Sequence, residues 1–166
     1  MDYCTISYHR PEPLVCQGEG RARLDAWDGR RRLLGELVFQ APVTLHFVEV
    51  EAVRRSWLGQ DRALYAVTVC NRSSLPLDRV TVAGGGAALP GTVRINGLPQ
   101  PEADPVLGVE VPGLDAGAEA VITWQGPLPG EGEGEPPMTA AYEYRFGGDT
   151  LRGGARAWGG RRRRAP

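Results

Sequence analysis

Residues 64–71 read LYAVTVCN, and the alternation inside them decides the fold. Tyr65, Val67 and Val69 form one apolar set, and Leu64, Ala66, Thr68 and Cys70 stand between them. A period of two places alternate side chains on opposite faces of a strand, so the first set predicts a core face. Asn71-Arg72 then opens a turn, and Pro76 restricts any strand there to a start or an edge. Val80 and Val82 resume the alternation until Gly84, Gly85 and Gly86 stop it. Val93 and Ile95 predict a further short strand. Asn96-Gly97 behind them predicts a tight hairpin turn, because both residue types tolerate positive φ. LDAG at 114–117 is a turn before AVITW at 120–124. There Val121 and Thr123 lie on one face, and Ala120, Ile122 and Trp124 on the other. The expected core is Tyr65, Val67, Val69, Val80, Val82, Val93, Ile95, Val121 and Ile122, with Val121 and Ile122 facing opposite ways.

The order of these pieces resembles a known family. Thr68-Val69-Cys70-Asn71 matches a strand ending in T-V-x-N. Residues 77–82 match L-x-x-V-x-V, residues 91–101 match G-x-V-x-x-N-G-x-P-x-P, and residues 114–117 match L-x-x-G. Together they resemble the conserved-repeat domain of bacterial surface proteins, catalogued as domain of unknown function eleven, over residues 43–146. The resemblance implies an immunoglobulin-like β-sandwich in a cell-surface or spore-surface setting, and supplies no catalytic residues. This chain departs from it by carrying a single copy and a glycine-rich segment at 82–90.

Working outward, 166 residues suit one domain with an appendage. Gly 23 and Pro 14 favour short strands and turns over helices. A net charge of -1 gives no overall field that would gather nucleic acid or an anionic membrane. The segment MDYCTISYHRPEP is polar and broken by proline, which is not the pattern of a signal peptide. No apolar run approaches the ~18 residues of a membrane span.

Residues 21–39 predict a hairpin around Asp28-Gly29, with Gly35 marking a bulge and the arginines at 30–32 solvated near its tip. Residues 43–53 predict the first sandwich strand, and residues 54–61 a loop after it. Residues 138–158 predict a second hairpin around Gly147-Gly148, with Tyr142, Tyr144 and Phe146 along one face. Ala22 and Ala140 set the two hairpins 118 positions apart, about one repeat of the family's architecture. Three segments follow: an arm and hairpin at 1–42, a β-sandwich at 43–158, and a basic, disordered tail at 159–166.

Chemistry-bearing residues are sparse. Cys4, Cys16 and Cys70 lack C-x-x-C spacing; they are candidates for a disulfide, for crosslinks between subunits, or for plain reduced thiols. His9 and His46 are the two histidines, too few for a metal cage or a catalytic dyad. The glycines at 84–86 are not followed by Lys-Ser or a helix, so they are no phosphate loop. GPLPGEGEGEPP at 126–137 is a flexible acidic loop. Its Glu131, Glu133 and Glu135 offer carboxylates to calcium, but the EF-hand pattern is missing. Trp27, Trp57 and the arginines Arg161, Arg162, Arg163 and Arg164 are candidate contact residues.

The expectation is an all-β, immunoglobulin-like sandwich with an extra hairpin, acting without catalysis or cofactor. It would join protein partners, or copies of itself, through strand edges in a surface or fibre assembly. The alternative is a soluble ligand- or carbohydrate-binding module, which would expose tryptophans from the set Trp27, Trp57, Trp124 and Trp158 on one face.

Overall fold

The computed structural model describes residues 12–27, 31–130, 137–159 and 163–164. The chain divides into two units. One is Glu12–Phe47, and Val48–Pro166 makes up the bulk of the other.

In the first unit, β1 (Leu14–Trp27) and β2 (Arg31–Leu45) pair antiparallel as a two-stranded sheet. The hairpin is longer at both ends than the expected 21–39, and its Asp28-Gly29 tip lies outside the described residues. The register shifts between Leu24 and Asp25, so Leu34, next to Gly35, has no opposite number. That is a β-bulge at the expected place. The expected strand at 43–53 does not exist as one element. Val43 and Leu45 close β2, residues 46–49 break the run, and the next strand starts at Val50.

The described residues of the second unit form ten strands. They are β3 (Val50–Leu58), β4 (Ala63–Asn71), β5 (Leu77–Ala83), β6 (Arg94–Ile95) and β7 (Leu98–Pro99), followed by β8 (Val109–Leu114), β9 (Glu119–Gly126), β10 (Met138–Phe146), β11 (Asp149–Gly159) and β12 (Arg163–Arg164). No described residue is helical. Neighbours run β7-β6-β9-β4-β3-β11-β10-β5-β8, with β12 also on β3. The sheet is curled and mixed. One arm is β6-β9-β4-β3 and the other β11-β10-β5-β8, and neighbours within each arm are antiparallel. The arms meet at a short parallel seam, where Trp158 and Gly159 pair with Val53 and Arg54.

Both arms feed one core. Val67 and Val69 of β4, Ile122 and Trp124 of β9, Val80 and Val82 of β5, and Met138 and Ala140 of β10 share a single buried cluster. Burying each valine or isoleucine stabilises the fold by about 1.5–3 kcal/mol. Of the expected core, Val93, Ile95 and the β4, β5 and β9 residues at 67, 69, 80, 82 and 122 are buried. Tyr65 and Val121 are half-buried. Strand β3 also runs through residues 54–58, where a loop is expected. Its Arg54 and Ser56 are buried on the same face as Ala52.

Two turns show why their residue types stand there. Asn96 and Gly97 have φ of 50° and 81° and join β6 to β7, a turn that β-branched residues enter only with strain. Gly85 lies on the ring of Trp124, where a Cβ would come within 2.7 Å of its Cζ2. Gly85 is therefore packing, backbone laid against a buried indole, while Gly84 and Gly86 turn the chain at φ of 91° and 77°. Tyr65 stacks on the same indole, at 5.5 Å between centroids.

Candidate functional site

Three places concentrate polar groups. The first is the end of β4. Asn71 is 1% exposed. Its Nδ2 donates to the carbonyls of Leu75 at 2.9 Å, Leu114 at 2.9 Å and Asp115 at 3.1 Å. Its Oδ1 accepts from the Ser73 amide at 2.9 Å. Every hydrogen-bonding atom of the side chain is used to tie the 72–76 loop to the turn before β9. This asparagine closes the T-V-x-N pattern, and its work is structural. Ser73 extends the tie: Oγ accepts from the Glu49 amide at 2.9 Å and donates to the Glu49 carbonyl at 3.2 Å.

The second place is an open groove of about 560 Å³ beside the seam where β3 and β11 part. Glu49, Glu51 and Arg72 line one side, Arg156 and Trp158 the other. Arg72 pairs with Glu51, and both are partly buried. Trp158 is 57% exposed. The lining charge cancels between two carboxylates and two guanidinium groups.

The third place is the free side of β11. Strand β4 is paired along its whole length, by β3 on one side and β9 on the other. By contrast, β11 is paired by β10 over residues 149–157 and on its other side only at Trp158 and Gly159, among the described residues. The middle of that strand, Gly153-Gly154-Ala155, carries almost no side chain. Tyr142 of β10 covers Gly153, where a Cβ would fall 2.4 Å from its Cζ. Arg152 donates to Glu143 at 2.8 Å, and Arg79 of β5 donates to the same carboxylate at 2.7 Å. The Arg79 hydrogen bond, above all, holds the Glu143 carboxyl below its ordinary pKa.

The expected site residues are scattered. Cys70 is buried, and its thiol donates to Glu119 at 3.8 Å. Burial first, and the Glu119 charge second, push that thiol above its usual pKa, which keeps it protonated and unreactive. Cys16 sits on β1 opposite Val43, in the other unit from Cys70; Cys4 lies outside the described residues. Trp27 ends β1 opposite Arg31. Trp57 is half-buried on β3, Trp124 is in the core, and Trp158 is exposed. Arg163 and Arg164 pair with Trp57 and Leu58 as β12, where a free tail is expected; Arg161 and Arg162 lie outside the described residues. So do the glutamates at 131, 133 and 135. His46 is exposed between β2 and β3.

Sequence reasoning missed the groove, because Glu49, Arg72 and Arg156 are far apart in the chain and carry no spacing signal. Among the described residues, no cluster of three or more His, Cys, Asp or Glu could hold a metal ion. No helix among them is long and apolar enough to cross a membrane.

No family model and no curated protein matches the chain. Among solved structures, it is similar to an inactive mutant of a GH20 exo-β-N-acetylglucosaminidase from Vibrio harveyi. The match covers 68% of this chain at 17% identity, with a TM-score of 0.43. This chain spans 18% of that enzyme's length. A likeness that loose carries no argument about either fold type or activity.

Proposed function

We propose that the chain is a non-catalytic module of immunoglobulin-like sandwich type that assembles with copies of itself or with protein partners through a strand edge. The observation that carries this reading is the free side of β11. It is a long edge strand with exposed backbone, no proline and a glycine-rich middle, the kind of edge to which another strand adds. Two antiparallel arms closing on one core support the sandwich type. The T-V-x-N, N-G-x-P-x-P and L-x-x-G patterns support kinship with the conserved-repeat surface family, and with it a cell-surface or spore-surface location. Sedimentation of the full chain over a range of concentrations tests the reading. Species heavier than the 17.9 kDa monomer are expected at micromolar concentration. A chain that stays monomeric up to millimolar concentration, alone and with extracts of its own cell surface, would sink it.

One observation favours a second reading, a sugar-binding module. Trp158 offers an exposed ring at the rim of a groove whose carboxylates and guanidinium groups cancel in charge, which suits a neutral, hydroxyl-rich ligand over an anionic one. Neutral oligosaccharides should then quench tryptophan fluorescence in the wild type and not in Trp158→Ala. Equal responses from the two proteins would remove this reading.

A further inference from the structure

We infer that β11 pairs with β11 of a second copy about a twofold axis through Gly153. This rests on the strand-edge reading above and names both the edge and the register.

The backbone direction follows from the hairpin. Gly147-Gly148 joins Phe146 to Asp149 in a two-residue loop, so that closing pair exchanges both its hydrogen bonds. The same orientation recurs at every second residue. Leu151, Gly153, Ala155 and Ala157 turn their N–H and C=O groups toward β10. Thr150, Arg152, Gly154 and Arg156 turn theirs to the free side. Trp158, of the same parity, stands where that side of the strand meets β3 at Val53.

An antiparallel pair of identical strands has its axis perpendicular to the sheet. Opposed side chains share a face, and the axis preserves faces, so one residue must stand opposite its own copy. Charge and size choose which. Centring on Arg152 sets two arginines against each other. Centring on Gly154 sets Arg152 against Arg156 of the second copy. Both place like charges directly opposite, which destabilises a sheet. Centring on Gly153 sets Arg152 opposite Gly154, Thr150 opposite Arg156 and Leu151 opposite Ala155. No like charges meet. Gly153 then occupies a non-hydrogen-bonded position, where strands approach most closely and a residue without a side chain fits. The flanking pairs Arg152/Gly154 and Thr150/Arg156 join the residues whose backbone groups face outward, so each exchanges two hydrogen bonds. Centres farther along run out of free edge, at the Gly147-Gly148 turn or at the seam with β3.

Two variants of the full chain test this by sedimentation and thermal melting. Gly154→Pro removes an outward N–H and leaves the bonds of Gly153 and Ala155 to β10. Its Cβ has ordinary room, with the Ala140 carbonyl at 3.8 Å. It should weaken the dimer by roughly tenfold or more and leave the melting temperature unchanged at a concentration where both proteins are monomeric. Thr150→Glu sets a carboxylate opposite Arg156 of the second copy. It should tighten the dimer severalfold at low salt and lose that gain at high salt. A dimer indifferent to both changes would overturn the β11 interface and leave assembly through some other edge standing. A chain monomeric at every concentration would overturn both.

Discussion

Strands β4 and β11 are both long, and they serve opposite ends. Strand β4 has partners on both sides and buries Ala63, Val67, Val69, Cys70 and Asn71. Strand β11 has a partner on one side for most of its length and buries no residue fully. The first spends its backbone and side chains on the fold. The second takes its stability from Tyr142 and Glu143 on β10 and leaves a row of backbone groups facing outward. The two ends of the larger sheet differ from β11. Strand β8 carries Pro112 and a Gly113 with φ of 59°, and β7 is two residues long and ends on Pro99. Proline, a kink and shortness are the usual protections of an edge. Within that sheet, and among the described residues, their absence from β11 marks it as an edge left available.

The hardest blow to this contrast would come from Val67→Asp. An unpaired carboxylate at a position with 0% exposure should cost several kcal/mol and unfold the second unit. Thr150→Asp, on β11, should stay within about 0.5 kcal/mol of wild type. Circular dichroism melts of the two variants decide, and a Val67→Asp protein that melts cooperatively at the wild-type temperature would refute the account of β4.

Asn71→Ala comes next. It takes from the Leu75 and Leu114 carbonyls and the Ser73 amide the side chain they now use, while the Asp115 carbonyl keeps the Ala118 amide, and about 2–3 kcal/mol of stability should go with them. Urea denaturation measures it, and a loss below about 0.5 kcal/mol would show that water replaces the side chain.

Gly153→Val sharpens the comparison from the other side. Its Cβ would collide with the Tyr142 ring, a half-buried side chain that can swing away, so a loss of about 1–2 kcal/mol is expected. A loss as large as that of Val67→Asp would make β11 as much a part of the core as β4.

The smallest effect is a pH dependence. The folded-state pKa of Glu143 is depressed, so its contribution is present above the ordinary carboxylate value of 4.5 and is lost as the pH falls below it. Glu143→Gln should therefore flatten the melting temperature slightly between pH 6 and pH 3. Parallel curves for the two proteins would remove Glu143 from the ties that hold β11.

How much of this was legible depended on whether the cause was local. The Asn96-Gly97 turn was readable because positive φ is a property of the residues themselves. The hairpin about Gly147-Gly148 was readable for the same reason, and β4 through its alternation. The strand expected at 43–53 failed because Val43, Leu45 and Phe47 keep their alternation across a break. Phe47 is 41% exposed, so the pattern there reports no core. The loop expected at 54–61 failed because Arg54 and Ser56 look solvated, yet they face the core side of β3 and neither lacks a partner. The role of Asn71 was hidden because its partners at 114 and 115 lie some forty residues downstream. The free side of β11 was invisible for a related reason. Whether a strand has one neighbour or two is a property of the sheet, and nothing within residues 149–159 encodes it.

The buried Cys70 thiol makes the molecule its own clock. With Cys4 and Cys16 replaced by serine, a thiol reagent finds its target only when β4 separates from β9 and the sulfur leaves Glu119. The labelling rate is then the intrinsic rate of a free thiol multiplied by the fraction of time spent open. Read against denaturant, that rate separates a local parting of two strands from the unfolding of the whole unit, through a sulfur that β4 already carries.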